Sequence, residues 1–112
     1  MSEVVVVGSF TAKPGKEEEG LQAFKDLVQP THDEPGCILY ALHQGKDNPA
    51  QLAFIERWAS REELDAHLGS PHIQAILGRA EELFGDSGSI TVYDAVPEGA
   101  DKKGSLAKHA GD

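Results

Sequence analysis

From Leu52 to His72 the chain reads LAFIERWASREELDAHLGSPH, a strand, a capped helix, a break and the start of a second helix in one short stretch. Leu52, Phe54, Glu56 and Trp58 share one strand face and Ala53, Ile55 and Arg57 the other, because successive strand side chains alternate. Ser60 and Glu63 stand at capping-box spacing: the hydroxyl accepts from the Glu63 amide, and the Glu63 carboxylate reaches back to the Ser60 amide. Gly69 suits a helix C-terminus, and Ser70 caps the next helix with Pro71 at its first position, where a missing N–H costs nothing. A strand with apolar residues on both faces that runs straight into helices belongs in a layered domain.

The remaining chain supplies the other layers. Val4 to Phe10 is a β-branched run and reads as a strand. Pro14-Gly15 marks a turn, and Lys16 to about Gln29 a helix, with Leu21, Phe24, Leu27 and Val28 at helical spacing and Glu17, Glu18 and Glu19 near its N-terminus. Pro30 is expected to end or bend it. After the turn Asp33-Glu34-Pro35-Gly36, Cys37 to Gln44 reads as a strand, with Cys37, Leu39, Ala41 and His43 on one face and Ile38, Tyr40 and Leu42 on the other. Gly45 to Ala50 is a polar connection to the Leu52 strand. From Pro71 a single helix is expected to carry Ile73, Ile76, Leu77, Ala80, Leu83 and Phe84, closed by the polar run Gly85 to Gly88. Ser89 to Val96 is the last strand, and Pro97 to Asp112 reads as a disordered tail.

The order β-α-β-β-α-α-β predicts a four-stranded antiparallel sheet with helices on one face, an α+β, ferredoxin-like split βαβ arrangement spanning residues 1–96, with 97–112 as tail. One sheet face is left bare. Since the strands are apolar on both faces, that face is expected to meet a second copy of the chain, giving a homodimer through the open sheet face.

Net charge −9, from 10 basic and 19 acidic residues, argues against a nucleic-acid partner or an anionic membrane surface. No apolar run approaches the roughly 20 residues that span a bilayer. Cys37 is the one cysteine, so no internal disulfide forms, which fits a reducing compartment. No basic segment and long apolar run precede a cleavage site near Met1, so a cytoplasmic location is expected.

Glu56, between Phe54 and Trp58 on one strand face, is costly unless paired or exposed. It is either half of a structural ion pair or a pocket carboxylate of raised pKa that acts as a base or orients a histidine. His67 and His72 flank the Gly69-Ser70 break. They lack the i, i+4 spacing of a helical metal pair and no acidic or cysteine cluster completes a set, so no metal is expected. His72, near a helix N-terminus, is favoured in its neutral form and able to take a phenolic proton; the alternative for both is a structural, hydrogen-bonded histidine. His43 shares Leu39's face and is a further pocket candidate; His32 is weaker, and His109 lies in the tail. Trp58 and Tyr40 either stack on a flat aromatic ligand or fill core, and Cys37 is most simply a small buried hydrophobe. There is no nucleophile elbow, P-loop or dinucleotide fingerprint.

Glu34-Pro35-Gly36-Cys37 with Tyr40, then Phe54, Glu56, Trp58 and Ser60, then Leu64, His67, Ser70 and His72 resemble in order and spacing the antibiotic biosynthesis monooxygenase (ABM) domain family, over roughly Val4 to Val96. The resemblance implies a dimeric α+β barrel of two ferredoxin-like sheets. It also implies an oxidoreductase: a quinol or polyphenol monooxygenase using O2 on a small aromatic substrate without metal, flavin or haem, hence no cofactor. His67, His72 and Glu56 are the implied catalytic residues, and Trp58, Tyr40, His43 and Phe54 the implied substrate contacts. Haem-degrading relatives carry an axial histidine where Leu77 stands and an asparagine near Gly8 and Ser9, so haem degradation is disfavoured. A branch acting on phosphorylated sugars fits the sparse basic residues poorly. A monooxygenase needs a dry pocket of about 300 Å³ or more. The alternatives are a ligand-binding or isomerase-like dimer on the same fold, and an interaction protein whose pocket Trp58 and Phe54 close.

Overall fold

The computed structural model describes residues 3–106. Four strands, β1 (Val4–Thr11), β2 (Cys37–Gln44), β3 (Gln51–Trp58) and β4 (Ser89–Tyr93), form one sheet in the order β2-β3-β1-β4. Every neighbouring pair is antiparallel. The helices are α1 (Glu17–His32), α2 (Arg61–Leu68), α3 (Pro71–Leu77) and α4 (Ala80–Phe84). This is the ferredoxin-like α+β layout expected from the element order, with the sheet open at both edges.

The pairing Tyr40↔Glu56↔Val6↔Val92 runs straight across the sheet and defines the face that carries the core. Val6, Phe54, Glu56, Trp58 and Tyr40 are buried there against Phe24, Leu27, Leu64, Ile73 and Phe84 from the helices. Aromatic rings dominate the packing: Phe24 stacks on Phe84 with centroids 4.6 Å apart, and Tyr40 on Phe54 at 4.4 Å. Contacts of this kind add about 0.5–1.5 kcal/mol each beyond simple burial. The opposite face carries Val5, Val7, Ile55, Leu39 and Ala41, all half-buried, and Tyr93, half-exposed. Arg57 lies on that face too, buried, its Nη2 2.6 Å from Glu3 Oε2.

Several local expectations change. Helix α1 continues through Pro30 to His32, because the proline falls in the last turn, where its ring removes one hydrogen bond and the Asp33 N–H still closes on the Gln29 carbonyl at 3.1 Å. The single helix expected from Pro71 to Phe84 is two helices. At Gly78-Arg79 the bonding tightens, with the Arg79 N–H on the Ile76 carbonyl at 2.9 Å, and Arg79 swings out to Glu19 at 3.1 Å and Glu82 at 3.4 Å. Strand β4 stops at Tyr93 instead of Val96. A bulge between Cys37 and Leu39 puts Cys37 opposite Trp58 while Leu39 faces Arg57, so those two residues do not share a face as alternation alone suggested.

The Ser60 hydroxyl accepts from the Glu63 N–H at 3.2 Å, as the capping box requires. The Glu63 side chain does not curl back onto the cap; it lies against Gly36, so close that a Cβ there would collide with it. Gly36 thereby lets the turn that carries Glu34 press onto the start of α2. Beyond β4, the Lys103 and Gly104 N–H groups close a turn on the Ala100 carbonyl. Residues 107–112 of the expected tail, with His109, lie outside the described residues.

Candidate functional site

Three separate segments bring their polar groups to one point. Glu34 sits in the turn after α1, held by its N–H on the Thr31 carbonyl at 3.0 Å and by its own carbonyl accepting from Cys37 N–H at 3.1 Å. His67 is in the last turn of α2 and His72 in the first turn of α3. The Glu34 Oε2 atom lies 2.8 Å from His67 Nδ1 and 2.8 Å from His72 Nε2. The Ser70 hydroxyl, which also caps α3, donates to the His67 carbonyl at 2.7 Å and lies 3.2 Å from His72 Nε2. The Gly69-Ser70 break is thus what turns the two imidazoles toward a common carboxylate.

A carboxylate only accepts, so each imidazole donates to it: His67 through Nδ1–H and His72 through Nε2–H. Burial drives the His67 pKa down, and the Glu34 carboxylate works in the opposite direction without reversing the shift. A neutral His67 with its proton on Nδ1 carries its lone pair on Nε2, on the far edge of the ring from Glu34. Trp58 lies over that ring with centroids 4.4 Å apart, and Tyr40 meets it edge-on at 5.4 Å, so the ring has little freedom to turn.

His67 borders an apolar cavity of about 80 Å³ between the sheet and the helices, with Tyr40, Phe54, Glu56, Phe84 and Ile90 among its walls. That is about a quarter of the volume expected for a small-ligand pocket, because Phe10, Phe24 and Phe84 crowd the space. Leu77 and Ile90, each more than half exposed, stand at its rim. The edge strand β4 and the α3–α4 break leave this side of the core the least covered.

Glu56 is 7% exposed, and its Oε1 accepts from Trp58 Nε1–H at 2.9 Å. Burial pushes its pKa up to about 7; the Trp58 hydrogen bond opposes the shift and the Glu34 charge adds to it. Among the described residues of the chain Glu56 makes no ion pair, and the neighbouring Arg57 points through the other face to Glu3. The Tyr40 phenol is driven far above its ordinary pKa by burial and then by Glu56, so it remains a hydrogen-bond donor. Cys37 is a protonated thiol, its pKa raised to about 11 by burial and then by Glu34 and Glu56.

The structure gathers Glu56, His67, Tyr40 and Phe54 at one cavity, with His72 one carboxylate away. It separates His43, which pairs with Ala53, faces the open side of the sheet, and bonds the Ala41 carbonyl at 3.1 Å. A ring on that face cannot reach a cavity on the other. Trp58 is fully buried behind His67 and Glu56 and is not one of the cavity walls; its place is as the prop for both. Glu34 is the residue that sequence reasoning left as a turn, since 33 positions separate it from His67 and 38 from His72.

The sequence profile of the antibiotic biosynthesis monooxygenase family matches residues 3–79. The Mycobacterium tuberculosis protein Rv0793 is 34% identical over 98 residues, 87% of this chain and 95% of that one. The chain belongs to the antibiotic biosynthesis monooxygenase family. The solved structure of Rv0793 superposes with a TM-score of 0.81, covering 88% of this chain and all of that one at 30% identity. A crystal structure described as an antibiotic biosynthesis monooxygenase gives a TM-score of 0.78 at 29% identity, covering 84% of this chain and 99% of that one. An uncharacterized Synechocystis protein is 29% identical over 90 residues; these are 80% of this chain but 61% of that protein's length. In this ABM domain, Leu77 and Gly8 line the cavity. No helix among the described residues is long and apolar enough to cross a membrane.

Proposed function

We propose that this ABM protein is a monooxygenase that inserts one atom of O2 into a quinol or polyphenol, with His67 as the base. The observation that supports it most is the Glu34–His67 pair, which leaves an unprotonated ring nitrogen on a buried histidine bordering an apolar cavity lined by aromatic rings. The quinol gives its hydroxyl proton to His67 Nε2. The quinolate passes one electron to O2, and the resulting semiquinone and superoxide combine to form a C–O bond. The hydroperoxide then loses water, its distal oxygen leaving with the hydrogen of the attacked ring carbon and the proton held by His67. Quinol and O2 become hydroxyquinone and water, and no outside reductant is needed. Tyr40 and Phe54 hold the ring flat, and Glu56, poised near neutrality, takes the proton of the attacked ring carbon and passes it to the departing oxygen.

The small cavity favours a single-ring substrate that enters past Leu77 and Ile90 by displacing side chains. The test is oxygen uptake by metal-stripped protein against single-ring and polycyclic hydroquinones, corrected for autoxidation. Saturable uptake, fastest with single-ring quinols, is expected. Uptake no faster than autoxidation across the series would leave a ligand-binding dimer as the better reading.

The active unit in this proposal is a homodimer joined through the open sheet face, where Val5, Val7, Ile55 and Leu39 would otherwise stay in water. Ile55→Lys puts a charge at the centre of that face without touching the core. Sedimentation velocity is expected to report a dimer for the parent chain and a monomer for the variant. A parent chain that sediments as a monomer at micromolar concentration overturns the dimer.

A further inference from the structure

We infer that Glu34, His67 and His72 form a binding site for one divalent transition-metal ion, zinc being the best fit. One carboxylate oxygen and two imidazole nitrogens lie within 4.8 Å of one another, and they come from three different segments. Two histidines and one glutamate are a donor set that zinc takes in open, three-ligand sites, and imidazole with carboxylate also suits nickel, cobalt and iron. Each nitrogen is 2.8 Å from Oε2, against about 3.4 Å between neighbouring ligands of a tetrahedral ion with bonds of about 2.1 Å, so small shifts of the three side chains seat the ion.

The surroundings are those of a prepared site. His67 is fixed by Trp58 and Tyr40, and the Ser70 hydroxyl stands beside His72 Nε2. His72 is 21% exposed in its side chain, so the trio has a way in from solvent while His67 forms its floor. A net charge of −9 raises the local concentration of cations.

Without an ion, two protons hold the trio together, on His67 Nδ1 and His72 Nε2. An ion needs both of those nitrogens as lone pairs. The protons therefore move across the rings to His67 Nε2 and His72 Nδ1, with no net uptake or release. Protonated Nε2 can no longer accept a proton from a molecule in the cavity. Where His67 is the base, which rests on the oxygenase reading, the ion turns that base off; ion binding itself does not depend on that reading.

Isothermal titration of tag-free, chelator-treated protein with zinc chloride tests the site. One ion per chain with micromolar or tighter affinity is expected. His72→Ala should weaken it at least about ten-fold, while His43→Ala, on the opposite sheet face, should leave it unchanged. Nitrogen-15 spectra of the unaltered protein give a reading that does not depend on a variant folding: zinc should move the His67 Nδ1 and His72 Nε2 resonances and leave the His43 resonances in place. Absence of zinc binding, binding that survives His72→Ala, or shifts confined to other histidines would each overturn the site. Zinc binding at these nitrogens in a protein that consumes no O2 even when stripped of metal upholds the site and counts against the oxygenase reading alone.

Discussion

Glu34→Gln is expected to lower kcat for quinol oxygenation by about 10²- to 10⁴-fold while leaving KM within about three-fold. The magnitude follows from what a histidine loses when its orienting carboxylate becomes an amide. Glu34 Oε2 accepts the His67 Nδ1 proton at 2.8 Å and so keeps Nε2 free as an acceptor. The amide that replaces it can donate to Nδ1, which stabilises the tautomer with its proton on Nε2. The imidazole keeps its place between Trp58 and Tyr40, but its basic edge faces the wrong way. KM is spared because Glu34 is not one of the cavity walls. Two measurements separate this from a merely structural role. Raising the pH should not restore the rate, because the defect is in the tautomer and not in the charge. Nitrogen-15 chemical shifts of His67 should exchange their Nδ1 and Nε2 character in the variant. A kcat within three-fold of the parent, or an unchanged His67 tautomer, would remove Glu34 from the mechanism.

That residue also shows where sequence reasoning reaches and where it stops. The strand order, the open sheet and the Gly69-Ser70 break were legible because each depends on local signals: alternation, capping spacing and proline position. Glu56 was legible as an anomaly, a carboxylate among apolar neighbours on one strand. The bulge at Cys37 was not, since one extra residue inverts the alternation without changing composition. Nor was the break at Gly78-Arg79, where the apolar stripe continues in sequence although the helix does not. The strand face of His43 follows from alternation, and the cavity described above lies on the other face of the sheet. Glu34 sits in a turn whose letters, EPG, belong to the pattern shared with the family but carry no signal of a partner for its carboxylate. Its partners are fixed by how α2 docks, which depends on Gly36 yielding room to Glu63, and no periodicity encodes such a contact.

Glu56→Gln is expected to stabilise the protein in alkaline solution and to do so less and less as the pH falls. In the folded chain, burial lifts the Glu56 pKa from its ordinary value near 4.5 to about 7. Between those two values the folded protein holds a proton that the unfolded chain has already released. The unfolded state therefore binds fewer protons, and stability falls as the pH rises through that window. Above pH 7 the folded chain carries a desolvated carboxylate, and a shift of this size corresponds to about 3 kcal/mol at most. Glutamine is nearly the same shape, still offers an oxygen to Trp58 Nε1–H, and does not titrate. Urea denaturation of both proteins at pH 4.5, 6 and 8 should show a gap that widens by about 1–3 kcal/mol from the lowest pH to the highest. A gap that stays constant over this range would mean that Glu56 titrates normally, and its assignment as a proton carrier at the cavity would go with it. If the gap widens as expected, a buried carboxylate that costs the fold this much at neutral pH needs a compensating use. Its position on the cavity wall beside Tyr40 and His67 ties that use to proton transfer rather than to packing, which the glutamine would serve better.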